Sequence, residues 1–158
     1  MADERKIAHL EMIQGIINRM GNNSFMIKGW TVTLVSAIFA LSIENHKFSF
    51  IALFPILLFW WLDAFFLYQE GLFRRLYNDV ASKDDASITY SMNNASYKKS
   101  SDTICKVALS KTLLCFYGGM LFALIVVLLA IYVLSNLECV TLWVNNLKIF
   151  CFSIISKS

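Results

Sequence analysis

The chain has 158 residues, 58% hydrophobic and 15% aromatic but only 16% charged, with a formal charge of +3. Soluble domains carry ~25% charged residues and ~45–50% apolar ones, so this composition excludes an ordinary water-soluble globule. So small a net charge gives no sign of a nucleic-acid partner, and where the charges lie tells more than their sum. The expectation is one all-α domain over residues 1–158, an integral membrane helical protein with three to four transmembrane helices.

Residues 1–22 read as an amphipathic N-terminal helix. Leu10, Ile13, Ile17 and Met20 fall on one stripe at steps of three and four, opposite Glu4, Glu11, Gln14, Asn18 and Arg19. The opening Met-Ala-Asp-Glu-Arg-Lys has no short apolar region with a small-residue cleavage site, so no removable signal peptide is expected. Gly21-Asn22-Asn23-Ser24 is either a stop followed by a new cap or a kink in one continuous helix.

A transmembrane hairpin is expected over residues 25–68. The uncharged run from Gly29 to Ile43 is shorter than the ~20 residues that span hydrocarbon, so the first span must start near Phe25 and carry Lys28 at its edge. Glu44-Asn45-His46-Lys47 makes the turn, and the second span holds Pro55 and Asp63. Helical spacing then continues through Gln69, Leu72, Phe73, Leu76 and Val80, which predicts a stalk over residues 69–81 projecting into water. Residues 82–108 read as a polar, mobile loop. Residues 112–135, free of charge and with Gly118-Gly119 open to close approach, are the clearest span. The apolar tail at residues 140–156 is either a fourth span or a helix lying in the interface.

The lysines and arginines set the orientation. Arg5, Lys6, Arg19 and Lys28 precede the first span, and Arg74, Arg75, Lys83, Lys98, Lys99, Lys106 and Lys111 follow the second. The hairpin turn holds only Lys47. By the positive-inside rule, the N-terminus and the central loop face the cytoplasm of a multi-pass protein, here expected in a bacterial inner membrane.

Counting from His46, Lys28 lies 18 residues before the turn (46 − 28) and Asp63 lies 17 after it (63 − 46). The two therefore reach nearly the same depth on antiparallel helices. A charge at that depth is costly alone and tolerable when paired. Three readings stand open: independent snorkelling, a structural intramembrane pair, or an ion or proton site. The same count sets Arg19 beside the stalk near Glu70 and Arg74. Arg19, Glu70, Arg74 and Tyr77 then form a cytoplasmic assembly network, extended by Arg75 and Asp79, unless they are simply a solvated helix face.

Cys105, Cys115, Cys139 and Cys151 are too widely spaced for a C-x-x-C motif and read as buried apolar thiols. Neither His sits near them, so no metal site or cofactor is expected. There is no P-loop, G-x-S-x-G or H-E-x-x-H, and the chain is not expected to be an enzyme.

Three stretches carry a family resemblance: residues 9–20 (HLEMIQGIINRM), 23–32 (NSFMIKGWTV) and 61–79 (WLDAFFLYQEGLFRRLYND). Together they resemble the RipA-type octameric bacterial inner-membrane proteins, a family similar to the membrane accessory protein of type VI-B CRISPR loci. The resemblance covers the first half of the chain and nothing after Asp84. It implies a homo-octameric ring with a central opening, and roles in stress adaptation, growth inside host cells (virulence) or phage defence. Its recurrent positions are Asn18, Arg19, Asn23, Ser24, Lys28, Trp30, Asp63, Glu70, Phe73, Arg74, Leu76 and Tyr77. His9 follows Arg5 too closely for the Arg-x(4–6)-His spacing of HEPN-type ribonucleases, which counts against a nuclease role.

The leading expectation is thus a homo-oligomeric, pore-like membrane assembly with lipids and copies of itself as partners. The alternatives are an accessory subunit docking on an unidentified larger membrane complex, or a small transporter using Lys28 and Asp63.

Overall fold

The computed structural model describes the backbone of residues 2–42, 46–84, 87–99 and 103–155. Side-chain surroundings are described for these except residues 2–3, 46–48, 134–135 and 138–155. Every regular element among the described residues is helical. Helix α1 spans Ala2–Leu41, α2 Leu53–Ser82, α3 Ile104–Ala108 and α4 Lys111–Ile155. Two 3₁₀ segments, His46–Ala52 and Ala95–Tyr97, lead into α2 and interrupt the loop after it.

Helix α1 does not stop at Gly21-Asn22-Asn23-Ser24. His9, Ile13, Ile17, Ser24, Ile27, Thr31, Val35 and Ser42 are all buried, a seam at steps of three, four or seven along the whole helix. The seam packs on α2, and that packing outweighs the weak local preference of Gly and Asn against helix. Pro55 sits in the first turn of α2, where its missing N–H costs no intrahelical bond. The turn residues 43–45 lie outside the described residues.

Among the described residues, three helices are long and apolar enough to cross a membrane: Glu4–Leu41, Ser49–Ser82 and Lys111–Val133. The distribution of surface supports that use. Among the described residues, nearly every exposed large hydrophobic lies in residues 25–65 or 109–137, and only Ile7, Met12 and Tyr90 fall elsewhere. At ~1.5 Å per residue, α1 and α2 outrun a ~30 Å hydrocarbon layer. With such a layer crossed, their far ends extend beyond it as a second bundle, called here the water-side bundle.

The two regions have separate cores. The membrane core gathers Val35, Ala52, Ile56, Ala64, Leu113, Tyr117 and Leu124. The water-side core gathers Ile13, Ile17, Leu76 and Val80, flanked by Leu10, Phe73, Tyr77, Ile88, Met92 and Tyr97. The apolar stripes of the N-terminal helix and the stalk thus bury each other within one chain.

The loop corrects one expectation. Residues 87–99 are not a free solvated loop but fold back on the stalk. Ile88, Met92 and Tyr97 supply the apolar contacts. Asn94 Nδ2 donates to Gln69 Oε1 at 3.0 Å, Arg75 to Tyr97 O at 3.2 Å and Tyr97 OH to Asp79 Oδ2 at 2.6 Å.

A second correction concerns the tail. No turn separates residues 112–135 from 140–155, because α4 is one continuous backbone helix to Ile155, so an antiparallel fourth span does not form. Nor does Gly118-Gly119 mediate a close approach within the chain, since a Cβ at either would meet nothing within 4 Å.

Candidate functional site

The helices bring together one polar cluster inside the apolar layer. Asp63, fully buried on α2, receives Lys28 Nζ from α1 at 2.5 Å on Oδ2. Ser24, one turn before Lys28, donates to Asp63 Oδ1 at 2.5 Å and accepts from Lys28 Nζ at 2.8 Å. The third span contributes Tyr117, whose hydroxyl lies 3.1 Å from Asp63 Oδ2 and 3.2 Å from Phe59 O. The cluster therefore ties α1, α2 and α4 at one depth.

Its electrostatics favour a closed latch. A buried carboxylate without partners loses several kcal/mol of solvation, and here both oxygens are occupied. The Lys28 side chain is 21% exposed, so its stem is covered while the ammonium reaches inward. Ser24 and Tyr117 satisfy the remaining lone pairs, the condition under which a buried pair is tolerable. Trp60 braces Tyr117, with ring centroids 5.9 Å apart and planes 9° off parallel. Its indole N–H donates to Ala108 O of α3 at 2.9 Å.

Sequence reasoning placed Lys28 and Asp63 at matched depth but missed Ser24 and Tyr117 as their partners. Ser24 was readable as i−4 to Lys28, on the same helix face. Tyr117 gave no signal, being one phenol in a span that reads as apolar on every side.

The residues of the expected assembly network are arranged differently from that expectation. Glu70 pairs with Arg74 of its own helix at 2.7 Å and lies against α1 at Gly21, 3.7 Å from where a Cβ would stand. Arg19 is exposed, and among the described residues no hydrogen bond or ion pair joins it to Glu70. It points away because the α1 seam runs through Ile13, Ile17 and Ser24. Tyr77 packs on the water-side core. Of the other positions in the resemblance, Asn18 and Trp30 are exposed, while Phe73 and Leu76 join that core.

The tie between stalk and loop centres on Asp79, which also accepts from Lys83 Nζ at 2.5 Å. The bonds from Lys83 and Tyr97 hold the Asp79 carboxyl below its usual range. The bond to Asp79, aided by partial burial, pushes the Tyr97 phenol from 10.0 to about 12. A raised folded pKa means the contribution of Tyr97 is complete below pH 10 and is lost as pH rises through about 12. Asp79, shifted downward, acts oppositely: its contribution is present above 3.8 and falls away only in acid. Hydrogen exchange of residues 87–99 is therefore expected to stay flat from pH 6 to 9 and to quicken above 10, after correction for intrinsic rates. Tyr97→Phe should expose the loop already at neutral pH and remove its alkaline step; an unchanged alkaline step in that variant would refute the assignment.

His9 is a further buried group, with its ring 5.5 Å from Tyr90 in an edge-on contact and its Nε2 unpartnered. Cys105 and Cys115 are exposed at the protein surface rather than buried. Cys139 and Cys151 lie outside the described side chains. Among the described residues no group of three or more His, Cys, Asp or Glu side chains is placed to hold a metal ion. No family model, no curated protein and no solved structure matches the chain.

Proposed function

We propose that the chain is a multi-pass subunit of a closed homo-oligomer in a bacterial inner membrane, with its N-terminus and stalk in the cytoplasm. The assembly forms an octameric ring around a central opening and acts in stress adaptation, intracellular growth or defence, as the resemblance of residues 9–20, 23–32 and 61–79 implies. It carries out no chemistry of its own.

One observation carries the self-assembly: the size and bareness of α4. It has 45 residues, ~67 Å at 1.5 Å each, more than twice the hydrocarbon thickness. Only Leu113, Tyr117 and Leu124 of its described residues are buried hydrophobics. Lipid covers such a helix inside the layer, but the apolar stretch that outruns the layer is best covered by copies of itself, since a closed symmetric set covers every copy equally. The water-side stripes add nothing to this reading, because they are covered within one chain. Lys28 and Asp63 serve the assembly as an internal latch; a carboxylate with both oxygens occupied is a poor stepping stone for ions.

Light scattering coupled to size exclusion in mild detergent tests the proposal. A single species at a whole multiple of 18.1 kDa, unchanged on dilution, is expected. A monomer, or a spread of sizes that follows concentration, would contradict it. Asp63→Asn separates latch from pathway: loss of assembly fits the latch, whereas intact assembly with altered proton flux would make the pair a transport site.

A further inference from the structure

Below the stalk, α3 crosses one face of α2 and leaves two cavities along it. On the membrane side is an apolar groove of about 340 Å³ lined by Leu57, Trp60, Trp61, Cys105, Ala108 and Leu109. On the stalk side is a smaller cavity whose lining includes Tyr68, Arg75 and Lys106. Residues 57, 61, 68 and 75 follow one row of α2, so the two cavities are stacked on the same face. Trp61 and Gly71 lie ~15 Å apart along that helix, about the depth of one hydrocarbon leaflet.

The charges are distributed to match. Residues 98–111 hold Lys98, Lys99, Lys106 and Lys111 against Asp102. Lys106 and Lys111 are exposed at the two ends of the α3–α4 junction. Apolar walls toward the membrane, with cations toward the water, are the complement of one molecule type. The hydrogen bond from Trp60 to Ala108 O fixes the groove's floor, so the groove is built by the fold rather than by a flexible side chain.

We propose that this face is a binding site for an anionic phospholipid of the cytoplasmic leaflet, with one acyl chain in the Trp60–Leu109 groove and the phosphate at Lys106 and Lys111. The site rests on the membrane-spanning, stalk-inside reading above but not on the oligomer. A zwitterionic lipid offers the same chain without a net charge, so headgroup choice isolates the contribution of the lysines.

The test is native mass spectrometry of the full chain in mild detergent with added palmitoyl-oleoyl phosphatidylglycerol or phosphatidylcholine. The intact protein should retain phosphatidylglycerol about tenfold better. Lys106→Gln with Lys111→Gln should bring the two lipids toward parity, and Leu109→Trp, which fills the groove, should lower retention of both. Equal retention of the two lipids by the unaltered protein would overturn the proposal. So would an unchanged preference in both variants, or a Leu109→Trp chain that changes subunit number and not lipid, which would make the groove an interface between copies. The same spectra count subunits, so a monomer that still selects phosphatidylglycerol sinks the oligomer alone.

Discussion

Asp63→Ala is expected to destabilise the protein by about 3–5 kcal/mol, the penalty for breaking a buried ion pair from one side. The substitution strands the Lys28 ammonium in an apolar layer, removes the acceptor of Ser24, and takes from Tyr117 one of its hydrogen-bond partners. Removing both charges together should be far milder. Lys28→Met with Asp63→Leu leaves no uncompensated ion, and similar replacements elsewhere are near neutral. Asp63→Asn should fall between, keeping two hydrogen-bonding atoms but still orphaning Lys28. Unfolding in a denaturing-detergent titration reads all three. A loss below about 1 kcal/mol for Asp63→Ala, or a double variant as costly as the summed singles, would mean the cluster is not a coupled unit. Tyr117→Phe is a finer probe, since one hydrogen bond of this kind contributes only ~1 kcal/mol.

The second large effect lies outside the membrane. Leu76 is 2% exposed at the centre of the water-side core, and Leu76→Ala should cost about 2–5 kcal/mol by opening a cavity there. Because that core is separate from the membrane core, the damage should be local. Hydrogen exchange should rise in residues 10–20 and 88–97 and stay unchanged around Tyr117. Leu58, on the same helix but half exposed, is the control; Leu58→Ala should move stability by no more than about 0.5 kcal/mol. Exchange rising around Tyr117 as much as in residues 10–20 would contradict the division into two cores.

These two sites also show how far the sequence could be read. The Lys28–Asp63 pairing was legible because a hairpin imposes a mirror count, and two lone charges in apolar runs stand out. The stalk was legible because Leu72, Leu76 and Val80 keep helical spacing past the membrane edge. The loop was misread by composition: Ile88, Met92 and Tyr97 are few, but each meets an apolar stripe that needed cover. Gly21-Asn22-Asn23 looked like a stop because local preference was weighed without the seam, which continues through Ser24 and Ile27. Tyr117 was hidden because a phenol in a greasy span can be lipid-facing or inward, and only the packing of α4 decides. The tail at residues 140–156 reads as a separate element on composition, but α4 runs into it without a turn.

We propose a three-span protein whose stalk and loop share one side of the membrane while α4 carries the C-terminal end across. Alkaline phosphatase is active only outside the cytoplasm, so fusions at Tyr90 and after Ser158, expressed in a bacterium, test it directly. An inactive fusion at Tyr90 and an active one after Ser158 is the predicted pair. Activity at Tyr90, or the same response at both positions, would contradict the account.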